Sequence, residues 1–179
     1  MTALSHRLAT EADIPAIAAL MERAIDALQH GFLSPDEIAA SRLSMGLDTQ
    51  LIADRTYYVV EQGGQLAGCG GWSYRATLYG GNAGAAPRDA RTLDPASEPG
   101  RIRAMYTDPG FVRRGIGRLV LGLCEDAARA AGFRRVELMA TLSGEPLYRA
   151  AGYQEIERVA KMADRGTPVP GVRMGKDLG

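Results

Sequence analysis

The stretch Val112-Arg113-Arg114-Gly115-Ile116-Gly117-Arg118 brings two glycines and three arginines together. Before it, Arg101 to Thr107 alternates as a strand does, and Asp108-Pro109-Gly110 stops the run. After it, apolar residues fall at Ile116, Leu119, Val120, Leu123, Cys124, Ala127 and Ala131. That spacing predicts a helix, with Gly132 placed to end it. A strand, a short glycine-bearing loop and a helix start therefore follow one another. The first amides of a helix lack intrahelical partners and carry the positive end of its dipole. Glycine lets an anionic group approach that backbone closely. The chemistry on offer is the holding of a phosphate or pyrophosphate.

Several kinds of phosphate loop share this outline. A Walker loop places Lys-Ser/Thr after its glycines, whereas Arg118-Leu119 follows Gly117 here. A dinucleotide fingerprint has a third glycine where this chain has Val120, and it comes early in a repeated strand–helix–strand fold. A basic helix start that binds nothing is the plain alternative. A second block decides between them. Further along, Glu137-Leu138-Met139-Ala140-Thr141 leads into Leu142-Ser143-Gly144-Glu145-Pro146-Leu147-Tyr148-Arg149-Ala150-Ala151-Gly152-Tyr153.

The pairing of Arg-Arg-Gly-Ile-Gly-Arg with a later Leu-Tyr-Arg-Ala-Ala-Gly-Tyr resembles the GCN5-related N-acetyltransferase (GNAT) family, most strongly over Arg101 to Glu157. The resemblance implies an α/β fold: a three-layer α/β/α sandwich whose mixed, mostly antiparallel central sheet splays at the coenzyme-binding strand. It implies acetyl-coenzyme A as co-substrate, with its pyrophosphate on Arg113, Arg114, Gly115, Ile116, Gly117 and Arg118. Its pantetheine arm would run beside the backbone of Met105, Tyr106 and Thr107, where one N–H can polarise the thioester carbonyl. Tyr148 would protonate the departing thiolate, and Glu137 would take the proton of the amine. The chain departs from the family pattern at Val112, where Gln or Arg is favoured, and at Leu142-Ser143, where many members have Asn.

Judged by residue type alone, plainer readings stand beside these roles. Tyr148 can be a core aromatic on a short helix, and Glu137 a solvated strand residue. His30 titrates near neutrality but reads as a surface histidine. Trp72, Tyr74 and Tyr79 either wall an acceptor pocket or pack within the sheet. The expected activity is acetyl transfer to a small-molecule or peptide amine by direct attack in a ternary complex, since neither Cys69 nor Cys124 lies in either motif. The alternative is a non-catalytic acyl-coenzyme A-binding or sensor module. A nucleotide-binding or phosphotransfer protein fits less well, for want of Lys-Ser/Thr.

The elements that must position these residues are legible along the chain. Arg7-Leu8-Ala9 predicts a short strand. Thr10 with Asp13 predicts a capped helix start, followed by the stripe Ile14, Ile17, Met21, Ile25 and Leu28. Ser34-Pro35-Asp36-Glu37 is a capping box with proline at the first helical position. Residues 57–61 and 66–72 flank Gly63-Gly64 as a β-hairpin. Arg75 to Pro99 has little periodicity and predicts a long functional loop bordering the acceptor site. A strand at 135–141, a short helix at 144–151 capped by Ser143, and strands at 153–161 and 169–176 complete the set.

At 179 residues with 46% hydrophobic content, one domain over 1–179 is expected, with a loop insertion at about 75–99. Lys plus Arg and Asp plus Glu are 21 each, which argues against a nucleic-acid binder by bulk charge. Two distant cysteines in apolar runs read as reduced thiols rather than a disulfide or a metal site. No run is apolar enough to span a bilayer and Met-Thr-Ala-Leu-Ser-His-Arg lacks a secretory core, so a cytoplasmic protein is expected. A homodimer is compatible with the resemblance.

Overall fold

The computed structural model describes residues 3–82, 88–160 and 167–179. Within them lie seven strands: β1 (Leu4–Leu8), β2 (Tyr57–Gln62), β3 (Gln65–Ser73), β4 (Gly100–Thr107), β5 (Arg135–Ala140), β6 (Gln154–Val159) and β7 (Gly171–Asp177). Five helices accompany them: α1 (Ile14–Leu28), α2 (Pro35–Ser41), α3 (Thr49–Ala53), α4 (Ile116–Ala130) and α5 (Glu145–Ala150). This is the expected order with one addition, the short α3, which Asp48 caps by accepting from the Gln50 amide. Lys161, expected to end the strand now seen as β6, lies outside the described residues.

The strands form one mixed sheet in the order β1-β2-β3-β4-β5-β7-β6. Only β4 and β5 run parallel, and their pairing is short: Gly100 with Val136, and Arg101 with Glu137. Beyond Arg101 the two strands part. Ile102 to Thr107 keep β3 on one side and have no strand partner on the other. The β3–β4 register also slips, with Gly71 opposite Arg103 and Cys69 opposite Tyr106. Ala104 sits in this bulge at φ +50°. The bulge is pinned from the α1 side, where the buried Tyr57 hydroxyl donates to the Ala104 carbonyl at 2.7 Å and the Tyr106 hydroxyl accepts from the Gly46 amide at 2.8 Å. Bulges bend a strand and re-aim its side chains, and this one lies in the part of β4 that has separated from β5.

Each face of the sheet carries its own core. On one, Ile17, Leu20, Met21 and Ile25 of α1, with Ile38 and Leu51, cover Tyr57, Val59, Cys69 and Tyr106. On the other, Ile116, Val120, Leu121 and Cys124 of α4 cover Val60, Ala67, Leu138 and Met174. Glycines in β3 set the depth of the α4 packing. A Cβ at Gly68 would strike the Ile116 side chain, and one at Gly70 would meet both Met105 and Val120 at 2.7 Å.

The helix signals act as read. Ser34 and Glu37 form a reciprocal capping box, and Gly132 and Gly152 follow their helices at positive φ. One differs: α5 is capped by Gly144 without a side-chain bond, and the Gly144 amide instead donates to the Thr141 Oγ1 at 3.1 Å. The 75–99 segment is also more ordered than its composition implies. Ala76 and Thr77 donate to the carbonyls of Arg91 and Asp89, Leu93 donates back to Tyr74, and Leu93 is buried. Arg75 grips Asp54 through both Nε and Nη2. Residues 83–87 of the segment lie outside the described ones.

Candidate active site

Where β4 and β5 part, a cavity of about 830 Å³ opens. Met105, Tyr106 and Thr107 of β4 form one wall, and Leu138 and Met139 of β5 face them. The start of α4 closes one end, and Leu147 and Tyr148 of α5 line the side. The volume is that of a site for a sizeable organic ligand.

The α4 end is built for an anion. Gly115 is the N-cap, at φ +80°, and Arg113 also has positive φ at +62°. The first backbone bond into the helix runs from the Leu119 amide to the Gly115 carbonyl at 2.9 Å. Among the described residues, no acceptor meets the amides from Arg113 to Arg118. Successive free N–H groups at left-handed residues form a concave nest for an anion, and the helix dipole adds to it. A Cβ at Gly115 would touch no protein atom but would be strained at that φ. Gly117 has a second reason to be glycine: its Cβ would meet Leu147 Cδ2 at 2.9 Å, so it also lets α4 approach α5.

The three arginines differ. Arg113 lines the cavity, and its side chain has no partner among the described residues. Arg118 lines it too but donates to the Ala150 carbonyl at 2.9 Å, tying α4 to α5. Arg114 does not line it. Its guanidinium reaches Gln62 Oε1 and the Gly110 carbonyl, and lies 5.1 Å over the Phe111 ring.

Tyr148 is 9% exposed and packs edge-on against Tyr153 at 5.8 Å. Its hydroxyl has no hydrogen-bond partner among the described residues, although the side chain lines the cavity. Burial pushes its phenol above the ordinary tyrosine range. Ser143, expected as a helix cap, bonds instead to Thr141 Oγ1 at 3.1 Å and to Gln29 Oε1 at 3.2 Å. All three line the cavity, and this chain of polar groups joins the end of α1 to the end of β5.

Glu137 lies elsewhere. It stands where β4 and β5 are still paired, so it sits below the point at which the cavity begins. Its Oε2 accepts from Arg101 at 2.9 Å and from Arg173 at 2.6 and 2.9 Å. It borders a separate groove with Arg135, Gln154 and Lys176. His30 is exposed and outside the cavity lining, although its neighbour Gln29 is within it. Of the three aromatics expected near an acceptor, only Tyr79 lines the cavity, with Leu78 and Gly80 beside it. Trp72 is core, edge-on to Tyr74 and Phe133 at 6.0 and 5.9 Å.

Sequence reasoning missed Arg103, Gln29, Phe32 and Met45, which all line the cavity. Arg103 is 4% exposed and donates to Asp48 Oδ2 at 2.8 Å. The available signal was a second arginine at alternate spacing in a strand that had to be central. Among the described lining residues none is Asp, Glu or His. Nor do the described residues contain a group of three or more His, Cys, Asp or Glu able to hold a metal.

A parted parallel strand pair with an amide nest at its mouth defines an acyl-coenzyme A-type transferase fold. The acetyltransferase (GNAT) family model matches residues 18–153, and the chain belongs to that family. It is accordingly an acetyl-coenzyme A-dependent acyltransferase. Solved structures share the fold at low identity. A GCN5-related N-acetyltransferase from Rhodopseudomonas palustris is 17% identical, with TM-score 0.71, over 99% of this chain and 98% of that one. The PaiA N-acetyltransferase from Thermoplasma acidophilum, solved with coenzyme A, is 11% identical, with TM-score 0.64, over 98% and 99%. The ribosomal-protein-S18-alanine N-acetyltransferase from Escherichia coli is 15% identical, with TM-score 0.60, over 99% and 95%. Among curated protein sequences none matches the chain.

Proposed function

We propose that the enzyme acetylates an amine by direct attack on acetyl-coenzyme A in a ternary complex, with Tyr148 as the proton donor. The observation that carries this reading is one cavity lined both by Arg113 and Gly115 to Arg118, whose amides meet no acceptor among the described residues, and by Tyr148 with its unpartnered hydroxyl. The nest takes the pyrophosphate. The unpaired edge of β4 from Ile102 to Thr107 takes the pantetheine amides as a further strand would, and one of its N–H groups polarises the carbonyl. As the N–C bond forms and the C–S bond breaks, Tyr148 gives its proton to sulfur and the amine releases one to water. A raised phenol pKa weakens the acid, but the same apolar surroundings make the departing thiolate more basic.

A covalent acyl-cysteine route is disfavoured. Cys69 touches the cavity wall, but burial pushes its thiol up to about 12, which leaves almost no thiolate at neutrality. Glu137 does not serve as the base in this reading, because two arginines occupy its carboxylate outside the cavity. Cys69 and Cys124 are buried and unpaired, which supports a reducing, cytoplasmic setting. No helix among the described residues is long and apolar enough to cross a membrane.

The test is single-turnover thiol release with Tyr148→Phe, which keeps the ring against Tyr153. The rate is expected to fall by about 10²–10⁴-fold with coenzyme A affinity unchanged. A rate within about twofold of the parent would remove Tyr148 from the chemistry.

A further inference from the structure

We infer that the acceptor amine of this enzyme carries a carboxylate, and that Arg103 binds it. The inference rests on acetyl transfer in the β4–β5 cavity. Arg103 lies four residues before Thr107 in β4, so it stands about 13 Å along the strand from the nest end. Its Nη2 donates to Asp48 Oδ2 at 2.8 Å and to the Gly80 carbonyl at 2.5 Å. Its Nε and Nη1 find no acceptor among the described residues. They are also not among the sealed polar atoms that lack a partner, which are Arg101 Nε, Glu125 Oε1 and Tyr153 Oη. Since Arg103 lines the cavity, these donors open into it.

Asp48 cannot neutralise this arginine by itself. Its Oδ1 accepts from Arg88 Nη2 at 3.0 Å and from the Gln50 amide at 3.1 Å. Two guanidiniums thus share one carboxylate, the buried Arg103 and the exposed Arg88, so Asp48 is not held by Arg103 alone. A nearly buried charge without a full partner is costly. Arg113 and Arg118 border the pyrophosphate end, so Arg103 is the basic group left for the acceptor. No described lining residue is Asp, Glu or His, so a polyamine would meet only positive charge. A carboxylate matches the planar donor fork of a guanidinium. Leu28, Phe32, Met45 and Leu78 add apolar surface to the cavity lining. The acceptor that fits is a small amino acid with an apolar body.

Thiol release from acetyl-coenzyme A is measured with leucine, methionine and phenylalanine, with their carboxamides, and with spermidine. Coenzyme A affinity is measured in parallel by calorimetry. The acids are expected to exceed their amides in kcat/KM by about 10–100-fold. Arg103→Met is expected to bring that ratio to within about twofold of one, with coenzyme A affinity preserved, and Arg103→Lys to keep part of it. Acids no better than amides in the parent enzyme, or spermidine preferred, would overturn the inference whether or not the Met variant folds. So would an acid-to-amide ratio unchanged in Arg103→Met with only a lower Tm, which is the behaviour of a strut holding Asp48. Failure of the parent to bind coenzyme A would instead overturn the reading of the cavity itself.

Discussion

At the scale of single residues, like types do unlike work. Arg113, Arg114 and Arg118 are close in sequence, yet only Arg113 presents an unpartnered side chain to the cavity. Exposed charge contacts contribute under about 1 kcal/mol, so Arg113→Ala should weaken coenzyme A about threefold to fivefold. The variant should also flatten the salt dependence of binding. Arg114→Ala should leave both within experimental error, because its guanidinium is turned toward Gln62 and Phe111. Calorimetric titrations at two salt concentrations distinguish the pair. For Tyr148, the sign of the pKa shift fixes a pH profile. A general acid must be protonated, and burial raises this phenol above its ordinary value. Activity should therefore show no alkaline limb from Tyr148 below about pH 10. An alkaline limb near pH 8 that vanished in Tyr148→Phe would leave Tyr148 as the acid but contradict the upward shift of its pKa.

At the scale of elements, the cavity exists because β4 parts from β5 beyond Arg101 while its other edge stays paired with β3 as far as Thr107. Gly70 lies where Met105 of β4 and Val120 of α4 converge on β3. Gly70→Ala forces a Cβ to within 2.7 Å of both. Overpacking of this kind costs about 1–3 kcal/mol, which for a chain of this size lowers Tm by roughly 2–12 °C. Because Met105 is also a cavity wall, coenzyme A affinity should fall with it, and thermal unfolding with and without coenzyme A reads both. The elements themselves were legible in the sequence, since Ser34-Pro35-Asp36-Glu37, Gly63-Gly64 and the α4 stripe state their structures locally. The splay was not, because it follows from where parallel pairing stops, and Arg101–Glu137 looks like any other strand pair until both ends are placed. The position of Glu137 outside the cavity has the same cause: its strand was read correctly, but not the height at which the strands separate. The pairing of Arg103 was hidden for a related reason, because its partner Asp48 caps α3, a helix too short to announce itself.

At the scale of the whole molecule, ion pairs tie distant segments together. Asp13 holds β1 through Arg7, Asp54 holds the start of the 75–99 segment through Arg75, and α5 is held to β6 by Glu145 with Arg158 and by Arg149 with Glu155, while Glu145 also pairs with Arg149 inside α5. Hydrogen bonds from these arginines keep Asp13, Asp54 and Glu145 below the ordinary carboxyl range, and Arg91 brings Glu98 down to about 2. A depressed folded-state pKa contributes stability that is present above the unfolded value and is lost as pH falls through the folded one. Stability should therefore be flat above about pH 5 and decline between about pH 4.5 and 2. Solvent screening limits the share of the exposed pairs, Glu98 among them. Chemical denaturation at a series of pH values checks this, and a rise in stability below pH 4 would contradict it.

The central claim is that one cleft, from the amides at the start of α4 along the free edge of β4, is where coenzyme A lies. Amide hydrogen exchange with and without coenzyme A tests it most directly. The account predicts new protection in the segment from Arg113 to Arg118 and in Ile102 to Thr107, because those amides have no other acceptor on that side. The groove beside Glu137, Gln154 and Lys176 should be unaffected. Protection confined to that groove, or binding that leaves Arg113 to Arg118 exchanging as before, would contradict the account.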